Sequence, residues 1–143
     1  MNSKNIPFDL EKIKSISKDH PTPFYVYDEK AMLENLEKFL ESFNVLNGFK
    51  EFFAVKVNPN PFINKLLVDN GCGLDCSSMA ELVVAEKLGV TGENIMFSSN
   101  DTPLEEYQKA IEMGAIINLD DFSHIDFIDK NLGLPNRSEE PHV

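Results

Sequence analysis

Only two cysteines occur among the 143 residues, Cys72 and Cys76, and no histidine or third cysteine lies near them. A structural zinc site needs four such ligands, so no metal is expected and both thiols read as reduced and packed. Positive charge is scarce as well: thirteen Lys and Arg stand against twenty-four Asp and Glu, a formal net charge of −11. Phosphate backbones and anionic membrane surfaces repel such a chain, which argues against nucleic acid and membrane as partners. No apolar run is long enough to span a bilayer, and residues 1–18 lack the continuous apolar core of a signal peptide; a cytoplasmic location is expected. What is present is 42% apolar and 26% charged residues, enough to bury a core and typical of one ordinary globular domain.

The chain is organised around Phe52-Phe53-Ala54-Val55-Lys56-Val57-Asn58-Pro59-Asn60-Pro61. A short apolar run predicts a buried strand, and two Asn-Pro steps end it and start a helix. Lys56 is thereby expected at the carboxyl end of a strand, the edge of parallel α/β folds where ligands collect. An amine held there and partly desolvated loses its proton more readily and can attack a carbonyl to form a Schiff base.

Before this stretch, residues 1–22 read as a polar leader, Phe24–Tyr27 as a short strand, and Glu29–Phe43 as a helix. That helix is expected to place Met32, Leu33, Leu36, Phe39, Leu40 and Phe43 on one core-facing side. From Phe52 onward one grammar repeats: an apolar strand, a capped helix, a terminating glycine. Asn60-Pro61 opens the first helix. The strand Gly73–Cys76 leads to Ser78 and Glu81 at capping-box spacing, which explains Glu81 without chemistry. Asn94–Phe97 leads to a second such pair, Thr102 and Glu105; Ala115–Leu119 leads to a helix capped by Asp120 or Asp121 and stopped by Gly133. Four strand-helix units imply parallel strands and an α/β fold. They would gather Lys56, Asp75, Ser77, Ser98, Ser99, Asn100, Asn118 and Asp120 at one rim. A doubly wound sheet fits the same alternation, but no Gly-x-Gly-x-x-Gly follows the first strand, so a dinucleotide is not supported. Asn58 reads as a turn former, and His124 and His142 carry no signal above a surface histidine.

Thr22–Asp28, Phe53–Asn60, Gly73–Leu82, Phe97–Pro103 and Ile117–Asp121 together resemble, in order, the N-terminal part of bacterial diaminopimelate decarboxylases. This family includes ornithine and arginine decarboxylases and is related to alanine racemase. The resemblance implies a fold of four β/α units, the N-terminal half of a (β/α)8 TIM barrel, preceded by a short strand and helix. It implies pyridoxal 5′-phosphate as cofactor, bound covalently by Lys56 of the Ala-Val-Lys motif, with Ala54 leaving room for the ring and Asp75 keeping the amine cationic. It further implies an amino-acid substrate, meso-diaminopimelate converted to lysine and carbon dioxide, and a homodimer for the full-length family.

A full barrel takes about 250 residues, and four of eight units are present here. The family places its cofactor-stacking histidine, its glycine-rich phosphate loop, the glutamate facing the pyridine nitrogen and its β-domain later than residue 143. The expected organisation is a leader, strand and helix over 1–45, a partial cofactor-binding barrel over 46–134 and a disordered polar tail over 135–143. Such a chain looks like a truncated decarboxylase, inactive alone. Alternatives are an ornithine- or arginine-type decarboxylase, and a non-catalytic half-barrel that pairs with a complementary fragment or a homologue.

Overall fold

The computed structural model describes residues 7–133, which divide after Ser42 into two units; the tail expected over 135–143 lies outside the described residues. In the first unit, helix α1 spans Leu10–Asp19 and is capped by Asp9, whose carboxylate accepts from the Lys12 N–H at 2.8 Å. This corrects the expected polar leader. The helix buries no residue, so its sequence carries only a sparse apolar pattern. The strand expected at Phe24–Tyr27 does not form either. No strand among the described residues pairs with it, and Tyr25 is 91% exposed and stacks on Tyr27. Alternating side chains favour extension, but a strand exists only when a neighbour takes up its backbone groups. Helix α2, Glu29–Ser42, begins where Asp28 accepts from the Ala31 N–H at 3.0 Å. Its apolar face, expected to be core, is only half-buried.

The second unit is a four-stranded parallel sheet, β1 (Phe52–Ala54), β2 (Gly73–Cys76), β3 (Ile95–Ser98) and β4 (Ile116–Asn118), with strands adjacent in chain order. Helices α3 (Pro61–Asp69), α4 (Met79–Lys87), α5 (Leu104–Glu112) and α6 (Ser123–Leu132) follow the strands in turn. The register sets Phe53 beside Leu74 and Leu74 beside Ile95, and sets Cys76 beside Phe97. These residues share one face, since side chains alternate along each strand. Leu74, Cys76, Ile95 and Phe97 pack there with Leu82 and Ala85 of α4, Tyr107 and Ala110 of α5 and Ile128 of α6. The other face carries Ala54, Asp75, Met96 and Ser98, all half-buried. Helices thus cover one side of the sheet alone, as outside a barrel; a doubly wound sheet would be covered on both. The architecture is α/β, four consecutive units of the (β/α) barrel type.

Capping agrees with expectation at two helices and departs from it at two. Asn60 accepts from the Phe62 N–H at 3.0 Å ahead of Pro61, and Ser78 accepts from the Glu81 N–H. Thr102 instead donates its hydroxyl to the Ser99 carbonyl, so the expected pair with Glu105 is not made and α5 starts without a side-chain cap. At α6 the N-cap position falls to Phe122, and Asp121, two residues ahead of the helix, accepts from the Ser123 N–H at 2.7 Å and from its hydroxyl.

Candidate active site

Lys56 is not the last residue of its strand. β1 ends at Ala54, and Val55–Val57 form a 3₁₀ turn closed by the Asn58 N–H donating to the Val55 carbonyl at 3.2 Å. Val55 is drawn fully into the core, and in a turn of three residues its successor must point elsewhere. Lys56 is exposed, which corrects the expected desolvation. A two-residue period, which would set Ala54 and Lys56 on one side, requires extended backbone and lapses here; Ala54 itself stays half-buried on the uncovered face. Lys56 makes no ion pair among the described residues.

Asp75 lies beside Ala54 in the β1–β2 register. Burial pushes its carboxyl above the ordinary value, while the Ser98 hydroxyl and then the Lys56 ammonium pull it down and Glu81 adds to the rise. Its Oδ1 is buried and has no hydrogen-bond partner. An acidic group with an unused buried acceptor, within the electrostatic reach of the Lys56 amine, is suited to accepting a hydrogen bond from that amine or from a cationic group bound there.

Glu81 is occupied structurally. Its carboxylate accepts from the Ser77 N–H at 2.9 Å and from the Ser77 and Ser78 hydroxyls, so the capping box closes one residue earlier than the expected N-cap amide. Ser98, Ser99, Asn100, Asn118 and Asp120 follow or end β3 and β4 at the same edge of the sheet as Lys56. Asp120 Oδ1 lies 3.2 Å from His124 Nδ1. Asn58 is a turn former as expected, accepting from the Asn60 N–H at 3.2 Å.

One residue at this edge is not singled out by the sequence reading. Asn64 of α3 is fully buried, the one buried polar side chain among the described residues, and its Nδ2 donates to the carbonyls of Asn58 at 3.1 Å and Asn60 at 3.0 Å. A polar residue between Ile63 and Leu67 on the buried face of an amphipathic helix was the available signal.

Comparison with known proteins places this geometry. Residues 29–136 match the family model described as the pyridoxal-binding domain of pyridoxal-dependent decarboxylases. Protein TabA of Pseudomonas amygdali pv. tabaci is 42% identical over 124 residues, covering 87% of this chain and 29% of that protein. Diaminopimelate decarboxylase of Methanothermobacter thermautotrophicus is 30% identical over 111 residues, 77% of this chain and 26% of that one. Among solved structures, lysine decarboxylase from Selenomonas ruminantium superposes with a TM-score of 0.76 at 28% identity, over 90% of this chain and 33% of that one. Diaminopimelate decarboxylase from Helicobacter pylori, complexed with L-lysine, gives 0.68 at 28% identity, over 82% and 30%. The chain spans about a third of the length of the relatives it matches.

Proposed function

Since the chain belongs to the pyridoxal-binding domain family of pyridoxal-dependent decarboxylases, we propose that it supplies the lysine side of that cofactor's site, with Lys56 as the amine that carries pyridoxal phosphate. The observation that carries this reading is an exposed, unpaired Lys56 at the carboxyl edge of β1, with the Asp75 carboxylate and its unpartnered Oδ1 near it.

The residues fit the group. A carbonyl compound needs an accessible amine, and Lys56 is not committed to an ion pair; a cationic nitrogen formed there needs a carboxylate, and Asp75 has acceptor capacity to spare. When bound, pyridoxal phosphate supplies an electron sink for carbanion chemistry at the α-carbon of an amino acid. Lys56 would be the amine that holds it. Asp75 would set a carboxylate beside that nitrogen, and Ala54, with a side chain of one carbon, would leave space beside it.

For the whole enzyme the proposed reaction is decarboxylation of meso-diaminopimelate to lysine, in a cytoplasmic homodimer. Curated relatives from several bacteria and archaea that bear the name diaminopimelate decarboxylase support this substrate. A chloroplastic ornithine decarboxylase of Nicotiana glutinosa, 29% identical over 123 residues, supports ornithine as the second reading. Borohydride reduction of the chain mixed with pyridoxal phosphate, followed by peptide mapping, should place the pyridoxyl label on Lys56. Label on Lys65 or Lys87 instead would refute the assignment. Carbon dioxide release from each amino acid by the full-length enzyme separates the two substrates.

A further inference from the structure

We propose that Asn64 is a positioning residue for Lys56, setting where the amine stands by holding the turn that follows it. The proposal rests on the reading of Lys56 as the cofactor-bearing amine. Between Lys56 and α3 the chain must pass from a 3₁₀ turn into a helix within four residues, Val57–Asn60. Two carbonyls of that passage, Asn58 at 3.1 Å and Asn60 at 3.0 Å, converge on the single Nδ2 of Asn64. Both neighbours only accept, so the amide is obliged to present its nitrogen, and its orientation is settled by chemistry.

Asn60 is held by α3 as well, its carbonyl accepting from the Ile63 and Asn64 N–H groups at 3.1 and 3.0 Å and its Oδ1 from the Phe62 N–H at 3.0 Å; Asn58 is tied by its carbonyl to Asn64 Nδ2, by its N–H to Val55 at 3.2 Å and by its Oδ1 to the Asn60 N–H at 3.2 Å. Lys56 is exposed, so no packing locates it, and its reach depends on the backbone from which its flexible stem departs. Asn64 Oδ1, meanwhile, is buried without a partner. Leucine has a similar volume and would suit a face shared with Ile63 and Leu67 without leaving an acceptor unmet. An asparagine kept there does something that a packing residue would not, and the two carbonyls it ties belong to the segment bearing Lys56.

The test uses the chain with Asn64→Leu. Wild type and variant are incubated with limiting pyridoxal phosphate, reduced, and mapped for label at Lys56 relative to the exposed Lys87. We expect the ratio to fall about tenfold in the variant, within the loss of up to about a hundredfold that misplacing a reacting group can cost, with the helical circular dichroism kept. A high wild-type ratio that the variant retains overturns the positioning role and leaves the Lys56 assignment standing. A wild-type ratio near unity overturns that assignment and this proposal with it. Should Asn64→Leu lose its helical circular dichroism, the wild-type chain decides: on addition of pyridoxal phosphate the Asn64 side-chain amide resonances should shift. Those of Asn70, which donates to the Leu66 carbonyl at 2.8 Å in the same helix, should stay. Unmoved Asn64 resonances overturn the proposal.

Discussion

The backbone N–H of Met79, at the start of α4, donates to Glu106 Oε1 of α5 at 2.9 Å. A helix leaves its first amides without internal partners, and here the following helix provides one, together with a negative charge at the positive end of the α4 dipole. The same two helices are joined by the Lys109–Glu86 ion pair. Glu106→Ala should lower stability by about 1 kcal/mol, as for loss of a cap, and Glu106→Gln by less, since it keeps the acceptor. Urea titration of the three proteins measures the order; equal midpoints would show that water replaces the carboxylate without loss.

Gly73 opens β2 under the ring of Phe52. A Cβ at this position would meet Phe52 Cδ1 at 2.5 Å and the Asn94 carbonyl at 2.8 Å. The ring can swing aside, but the carbonyl belongs to backbone that carries β3. Gly73→Ala is therefore expected to destabilise by about 1–3 kcal/mol, the usual cost of overpacking. An unchanged melting temperature would mean that the β2–β3 pair yields more easily than its register suggests.

Asp75 makes stability depend on pH with a defined sign. Burial raises its pKa above the ordinary 3.8, so the folded chain binds that proton more tightly than the unfolded one. Folding carries no penalty from this group below 3.8 and loses stability as pH rises through the raised value. Asp75→Asn should consequently melt higher than wild type at pH 7 and level with it at pH 3. A lower melting point at pH 7 would show that attraction to Lys56 outweighs burial.

The two thiols should be inert in the native state. Burial, reinforced by Glu81 and Asp75, pushes Cys76 up to about 12, and burial with the nearby Glu51 raises Cys72. Only the thiolate reacts appreciably. Iodoacetamide at pH 8 should modify neither cysteine in the folded chain and both in denaturant. Rapid native modification of Cys76 would show that β2 opens.

Local signals were legible where a residue's role depends on its neighbours in sequence. Ser78 and Glu81 announce their helix because a capping box spans three residues, and Asn60-Pro61 does the same for α3. The one-sided cover of the sheet was not legible in the strand-helix alternation, which is common to barrels and doubly wound sheets, and was expected only through the family resemblance. Tyr25 and Tyr27 alternate as a strand would, yet pairing depends on a distant partner that no local pattern reports. Lys56 was singled out by its place after an apolar run, whereas its exposure follows from Val55 taking the core position and could not be read beforehand. Asn64 was missed because its partners are backbone carbonyls, which every sequence possesses.

Strand order equals chain order: β1 pairs with β2, β2 with β3, β3 with β4. During synthesis β2, β3 and β4 each meet a neighbour already made. Loop-closure entropy is thus met in short instalments instead of one long one. Growth by neighbours gives the sheet a direction in time as well as in space, so pulse-labelled nascent chains should gain amide protection at the β1–β2 ladder before β4 has been translated.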